Sequence, residues 1–316
     1  MRKLRTTMMG ACYSMRGIIH FMQRLLHKLC PLRRQASAQD ERQKRIDSYI
    51  RGGHKPWSPG YQESKFDFIR QVLNDPSLMA RFLKTERLPQ GFGYGYDERV
   101  VEYPWVMTRL ANQALRLLDA GSVFNYQEII DHPKIANKKF TIFTLAPERN
   151  AFWQRGISYE YGDLRELPFR DNWFDEIISL STLGHVGMDN RIYTKTETKT
   201  TIGLEAEKAV SELIRVLRPG GRFLISVVFG RHQLIEWNGS PFAEQFDRNL
   251  LDGLLESFSS CASVSTDFYM YTKDGWNVCL DSDCSDVEYF NIHTKQTIEP
   301  DNAAAARAVA LIDVTK

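Results

Sequence analysis

Arg116-Leu117-Leu118-Asp119-Ala120-Gly121-Ser122-Val123-Phe124-Asn125 is the stretch whose reading decides the fold. A short apolar run ends in an aspartate and a glycine, the pattern of a buried strand entering a tight turn whose backbone can approach a ligand closely. Downstream, runs of strand length recur at Phe140 to Leu145, Ser158 to Tyr161, Glu176 to Leu180 and Arg222 to Val228. Helical or connecting segments separate them at Gln127 to Asp131, Ala146 to Gln154 and Leu204 to Leu217. This alternation predicts a parallel sheet with helices on both faces. After the turn Arg218-Pro219-Gly220-Gly221 come a helix near Phe246 to Phe258 and two late strands, Val264 to Tyr271 and Ala308 to Val314. The expectation is an α/β, doubly wound, mostly parallel seven-stranded sheet with an antiparallel edge.

Upstream, Val106 to Ala114 reads as a helix, preceded by Asp97-Glu98-Arg99-Val100-Val101-Glu102-Tyr103-Pro104-Trp105, which sets three acids and an arginine among aromatics. Glu63 to Leu73 and Leu78 to Lys84 read as helices, and Pro89 to Tyr96 is a glycine and aromatic loop of the kind that can cover a site. The organisation expected is a leader and linker over 1–45, a helical and loop extension over 46–105 covering the site, and a sheet domain over 106–316.

The leader differs from the body. Residues 1–34 hold eight basic and no acidic residues, leaving 33 Lys and Arg against 39 Asp and Glu in the rest. Between Arg16 and Leu29 apolar residues recur at spacings of three and four with Arg, His and Lys between them, which predicts a basic amphipathic helix. It is too short and charged to span a bilayer and suits peripheral contact with an anionic membrane face, or else packing on the body. Arg33 to Lys44 reads as a polar linker after Pro31.

Composition bounds the rest. With 316 residues, 43% apolar and 25% charged, the chain has the make-up of a soluble globular protein. The mildly acidic body has no basic face interleaved with aromatics, so no nucleic-acid partner is expected. Five sparse cysteines argue for a reducing compartment and a cytoplasmic location. Cys279 and Cys284 have only His293 near them in sequence, so no metal site is expected.

In an open parallel sheet, ligands bind beyond the carboxyl ends of the strands, where strand order reverses. The segments at those tips are Asp119 to Asn125, Thr144-Leu145-Ala146-Pro147-Glu148, Gly162-Asp163-Leu164-Arg165, and Ser181-Thr182-Leu183-Gly184-His185-Val186-Gly187-Met188-Asp189-Asn190. Leu117 to Ser122, Gly162-Asp163-Leu164 with Leu167-Pro168-Phe169 and Trp173-Phe174-Asp175, then Leu217-Arg218-Pro219-Gly220-Gly221, resemble the ordered motifs of class I S-adenosylmethionine-dependent methyltransferases. The similarity runs from about Trp105 to the C-terminus, and four motifs in order make it specific. It is nearest to small-molecule methyltransferase-like proteins with a GDLRELPF-type third-strand segment and a STLEH-type fourth.

The resemblance implies a Rossmann-like fold and S-adenosylmethionine as cofactor. It implies that Asp119 and Gly121, with Ser122 and Asn125 in the same turn, lie under the cofactor's methionine part. Asp163 and Leu164 would hold the adenine, and Ser181, Thr182 and Leu183 the methyl-donating side. Thr144, followed by Leu145, stands where a ribose-gripping acid is usual, with Glu148 as substitute. Three further departures are Val123 and Asn125 in place of glycines and Gly184 in place of Glu. For Asp119 the residues alone allow an Asx-type turn role, and for Asp163 a helix N-cap or turn role.

Methyl transfer from a sulfonium needs alignment and, for some acceptors, a base. His185, just after the fourth strand, is the candidate base; a histidine satisfying loop carbonyls is the plainer alternative. Asp189 and Asn190 either orient the acceptor or cap the next helix. Glu102 and Trp105 either close over the methionine ammonium or only start a helix. The function expected is methyl transfer to a small-molecule or glycan-like acceptor, the alternative being an inactive relative with a scaffolding or membrane-associated role. No dinucleotide fingerprint, P-loop or nucleophile elbow is present.

Overall fold

The computed structural model describes residues 38–194, 205–290 and 299–316, so the basic helix expected over 16–29 lies outside the described residues. In chain order the elements are α1 (38–51), α2 (Tyr61–Leu73), α3 (Pro76–Lys84), α4 (Arg99–Arg109), β1 (Arg116–Ala120), α5 (Gln127–Ile130), α6 (Pro133–Ala136), β2 (Lys139–Thr144), β3 (Ser158–Tyr161) and β4 (Phe174–Leu180). There follow α7 (Arg191–Thr194), α8 (Glu205–Val216), β5 (Leu217–Val228), β6 (Gln233–Trp237), β7 (Ser240–Gln245), α9 (Arg248–Glu256), β8 (Ser263–Thr272), β9 (Gly275–Cys279), α10 (Asp281–Cys284) and β10 (Ala308–Thr315).

The main sheet has the order β3-β2-β1-β4-β5-β10-β8-β9. Strands β1 to β5 run parallel, and β10 enters antiparallel between β5 and β8. All seven expected strands are present, and β9 adds an eighth at the edge. Consecutive residues in the central strands are apolar because both faces are covered. Leu117, Ile178 and Leu224 pack with α2 to α4, whereas Leu118, Ile177 and Phe223 pack with α8 and α9. Strand order reverses beside β1, whose neighbours are β2 and β4, so the chain opens a crevice there.

Two helices differ from expectation. The helix read from Val106 begins at Arg99 and ends at Arg109, with Pro104 inside it. Local propensity disfavours that position, but every residue from Val100 to Met107 is buried, and this burial outweighs the lost backbone bond. The segment read as linker is helical from residue 38, because Ile46 and Tyr49 are buried and Arg42 pairs with Asp67 at 2.6 Å.

The start of α4 is fixed by charge. Lys65 of α2 meets Asp97 at 2.6 Å with both side chains 5% exposed, and Tyr61 donates its hydroxyl to the same carboxylate at 2.9 Å. Asp97 also accepts from the Arg99 amide at 3.2 Å, so the ion pair sets where the helix begins. On the far side of β5, the β6–β7 hairpin turns at Asn238-Gly239, with φ of 48° and 78°. Such a pair is a favoured two-residue hairpin turn. This hairpin was not expected from the sequence. It lies on the 3₁₀ turn Leu183–His185, and a Cβ at Gly184 would stand 2.6 Å from the Glu244 carbonyl oxygen.

Asp97→Ala strands a buried ammonium and is expected to cost about 3 kcal/mol in denaturant unfolding; a loss under about 1 kcal/mol would show that the pair is hydrated. Gly184→Ala is expected to cost about 1–3 kcal/mol, because backbone rather than a flexible side chain blocks the added methyl; unchanged thermal unfolding would contradict this packing.

Candidate functional site

The tips of β1 to β4 and the start of α4 enclose a cavity of about 240 Å³. Gly121 floors it with φ +127°, and a Cβ there would lie 2.1 Å from the Thr182 hydroxyl, so only glycine leaves this space open. Thr144, Leu145 and Glu148 come from the end of β2, Asp163, Leu164 and Arg165 from the end of β3, and Ser181, Thr182 and His185 from the end of β4. Arg99 reaches in from the first turn of α4, and Met188, Asn190 and Tyr193 close the remaining side.

Of the residues singled out by sequence, Gly121, Thr144, Leu145, Asp163, Leu164, Ser181, Thr182 and His185 line this cavity together. Glu102, Asp119, Ser122 and Asn125 do not line it, nor do Leu183, which is buried in the core, and Trp105, whose indole donates to Asp267 at 2.7 Å. Glu102 is fully buried, and its carboxylate accepts from Ser181 at 2.7 Å, from Ser226 at 2.5 Å and from Arg99. Those partners hold it behind the wall, where it orients Ser181 and Arg99 rather than meeting a ligand. Asp119 accepts from the amides of Phe124 at 2.7 Å and Val123 at 3.2 Å, the Asx-type role, and burial pushes its carboxyl up to about 7. Asn125 is also turned to structure: its amide donates to Glu148 at 2.9 Å and to the Asn150 carbonyl at 3.0 Å, while its oxygen accepts from Tyr159. Ser122 is buried at φ 63°, its hydroxyl without a partner among the described residues.

Several departures from the usual motif resolve into local contacts. Asn125 braces Glu148, so a carboxylate does stand in the wall beyond Thr144. Val123 forms part of the wall while its carbonyl accepts from Tyr103 at 2.5 Å, and the cavity stays open around it. Asp163 accepts from the Arg165 amide at 2.9 Å, as a turn aspartate does, and from its guanidinium at 2.9 and 2.5 Å, which holds its carboxyl below the usual range. Asp189 accepts from the amide and guanidinium of Arg191, and so starts α7, whereas Asn190 lines the cavity.

His185 is held through one ring nitrogen. Its Nδ1 lies 2.7 Å from the Phe242 carbonyl oxygen, a contact that requires the proton on Nδ1 and leaves Nε2 with the free lone pair. Burial lowers the ring below its ordinary value, which favours this neutral form. A second, smaller chamber of about 90 Å³ lies on its other side and shares Arg99, Ser181 and His185 with the first.

Arg99 and the braced position of Glu148 were not legible as such. Arg99 reaches the Leu180 carbonyl from 81 residues away, and no local spacing announces that contact. Among the described residues no group of side chains could hold a metal, and no helix is long and apolar enough to cross a membrane.

The site can be compared with known proteins at this point. Residues 139–225 match the family model described as a methyltransferase domain. No curated protein matches the chain. Among solved structures, it is similar to a 1,6-didemethyltoxoflavin-N1-methyltransferase from Burkholderia thailandensis, solved with 1,6-didemethyltoxoflavin and S-adenosylhomocysteine, at 14% identity over 89% of both chains and a TM-score of 0.41. It is also similar to SAM-dependent methyltransferases from Thermotoga maritima and Mesorhizobium loti. The first has 15% identity over 79% of this chain and 99% of that one, TM-score 0.40. The second has 16% identity over 68% and 97%, TM-score 0.39. The family match falls across β2 to β5, within the same sheet whose strand tips wall the cavity.

Proposed function

We propose that the protein transfers a methyl group from S-adenosylmethionine to a small-molecule or glycan-like acceptor, with His185 as base. The observation that carries this reading is the convergence of Gly121, Glu148, Asp163 and His185 on one cavity at the point where strand order reverses. The residues suit the cofactor. Gly121 leaves the space that any Cβ would fill, Glu148 offers a carboxylate to ribose hydroxyls, and Asp163 with the Leu164 amide suits adenine. Arg99, with Glu102 behind it, offers a cation to the methionine carboxylate.

Bound there, the cofactor would supply an electrophilic methyl group on a sulfonium, with the sulfur as its leaving group. The chain's own work is to align and to take a proton. His185 Nε2 removes the proton from an acceptor hydroxyl or nitrogen and returns it to solvent, while Phe242 holds the ring in the required tautomer. The alternative of an inactive relative draws on Val123, Thr144 and Gly184. Against it stand the open cavity beside Val123, Glu148 beyond Thr144, and a packing reason for Gly184.

Calorimetric titration tests the binding: Asp163→Ala is expected to weaken S-adenosylmethionine at least about tenfold, through loss of a charged hydrogen-bond acceptor. No heat from the wild type at millimolar cofactor would favour the inactive relative. The base has its own signature. Because His185 acts when neutral and burial places its titration below the ordinary 6.5, the rate should stay level above that pH and fall in acid below it. His185→Gln should lose about a hundredfold in rate together with that acid limb. An unchanged pH profile in this variant would remove His185 from the reaction.

A further inference from the structure

We infer that the smaller chamber beside His185 is the acceptor site and that it selects a small cationic group, such as an ammonium. Its use in catalysis rests on the methyl-transfer reading above; its preference rests on its own walls. The chamber lies between the start of α4, the 3₁₀ turn at Gly184 and His185, and strand β7, with Tyr289 in its lining. It meets the larger cavity along Arg99, Ser181 and His185, so a molecule seated in it has the imidazole as a wall common to both. At about 90 Å³ against about 240 Å³ it is the smaller of the two spaces and suits a small head group.

The charge balance of the walls favours a cation. Against the one Arg99 guanidinium stands the buried Glu102 carboxylate together with the acidic residues of the wall, and His185 is neutral. Those acidic residues are Glu98 and Glu244. Glu244 meets His232 at 2.9 Å, whereas Glu98 forms no ion pair with any described residue. Burial and the neighbouring Asp97 push the Glu98 carboxyl up to about 7 even with Arg99 beside it, so a further cation in the chamber lowers the cost of its charge. A neutral hydroxyl leaves that cost in place, and an anion adds to it. Phe242 and Tyr289 supply aromatic surface, the usual partner of an ammonium in a desolvated pocket.

The experiment titrates the full-length protein with ethanolamine and with its uncharged and anionic counterparts, ethylene glycol and glycolate, each with and without saturating S-adenosylhomocysteine, reading occupancy by ligand-observed NMR. Ethanolamine is expected to bind at least about tenfold tighter than either counterpart, and Glu98→Gln is expected to erase that preference while leaving S-adenosylhomocysteine affinity unchanged. Equal binding of the three probes, or a preference that survives in both Glu98→Gln and Glu244→Gln, overturns the inference. A protein that holds S-adenosylhomocysteine but does not prefer ethanolamine refutes the acceptor assignment alone. One that prefers ethanolamine but ignores S-adenosylhomocysteine supports the chamber's selectivity and refutes the methyl-transfer reading.

Discussion

The buried carboxylate of Glu102 is the constraint on which the site's geometry depends. It sits in the first turn of α4 with no exposure and takes hydrogen bonds from Ser181 at the tip of β4, from Ser226 in β5 and from Arg99 at the start of the helix. Burying a carboxylate is costly unless its oxygens are hydrogen-bonded, so the three partners are held where it is. One consequence is that Ser181 keeps its left-handed backbone, φ 46°, which turns the chain at the strand tip and sends the following residues into the 3₁₀ turn bearing His185. Another is that the Arg99 guanidinium stays at the cavity wall. The ion pair of Lys65 with Asp97 acts one level further out, by setting where α4 begins and so how deep Glu102 lies.

The sheet was legible because its cause is local. Strands buried on both faces must be apolar at successive positions, and Leu117-Leu118 and Ile177-Ile178 state this without knowledge of their partners. Gly121, Asp163 and His185 were legible because the carboxyl end of a parallel strand is where a site forms. The roles of Glu102, Asp119 and Asn125 were not, since a carboxylate or amide at a strand tip reads the same whether it meets a ligand or a backbone amide. What separates the cases is which donors the fold brings within reach, as Ser226 reaches Glu102 from 124 residues away. The β6–β7 hairpin is a different kind of omission: its Asn238-Gly239 turn was a readable local signal, set between short runs that do not alternate cleanly.

The departures from the expected motifs show how sequence likeness and physical sufficiency separate. A missing acid at Thr144 matters only if no other carboxylate reaches that wall, and Glu148 does, with Asn125 holding it. The residue that replaces a motif glycine thus supports the residue that stands in for a motif acid. Gly184 is likewise a packing residue here: the hairpin's main chain occupies the space that a side chain would need. A substitution that looks like a loss along one motif is coupled to a contact outside it, so motif-by-motif scoring of such a chain underestimates what its site can do.

The two chambers differ in what builds them, and this bears on specificity. The larger is made chiefly by the tips of central strands whose positions are fixed by the sheet and by the Glu102 bonds. The smaller shares three residues with it and takes the rest from the start of α4, Gly184, Val228 at the end of β5, the peripheral hairpin and Tyr289. Strand tips inside a packed sheet move little without loss of the core, whereas a two-stranded hairpin outside the main sheet is held by few contacts of its own. Changes in β6 and β7 can therefore reshape the smaller chamber while the strand-tip wall stays as it is. His185 belongs to both, because its backbone follows β4 and its Nδ1 is fixed by the hairpin's Phe242 carbonyl. The neutral tautomer with Nε2 unprotonated is thus set by the same strand that shapes the smaller chamber.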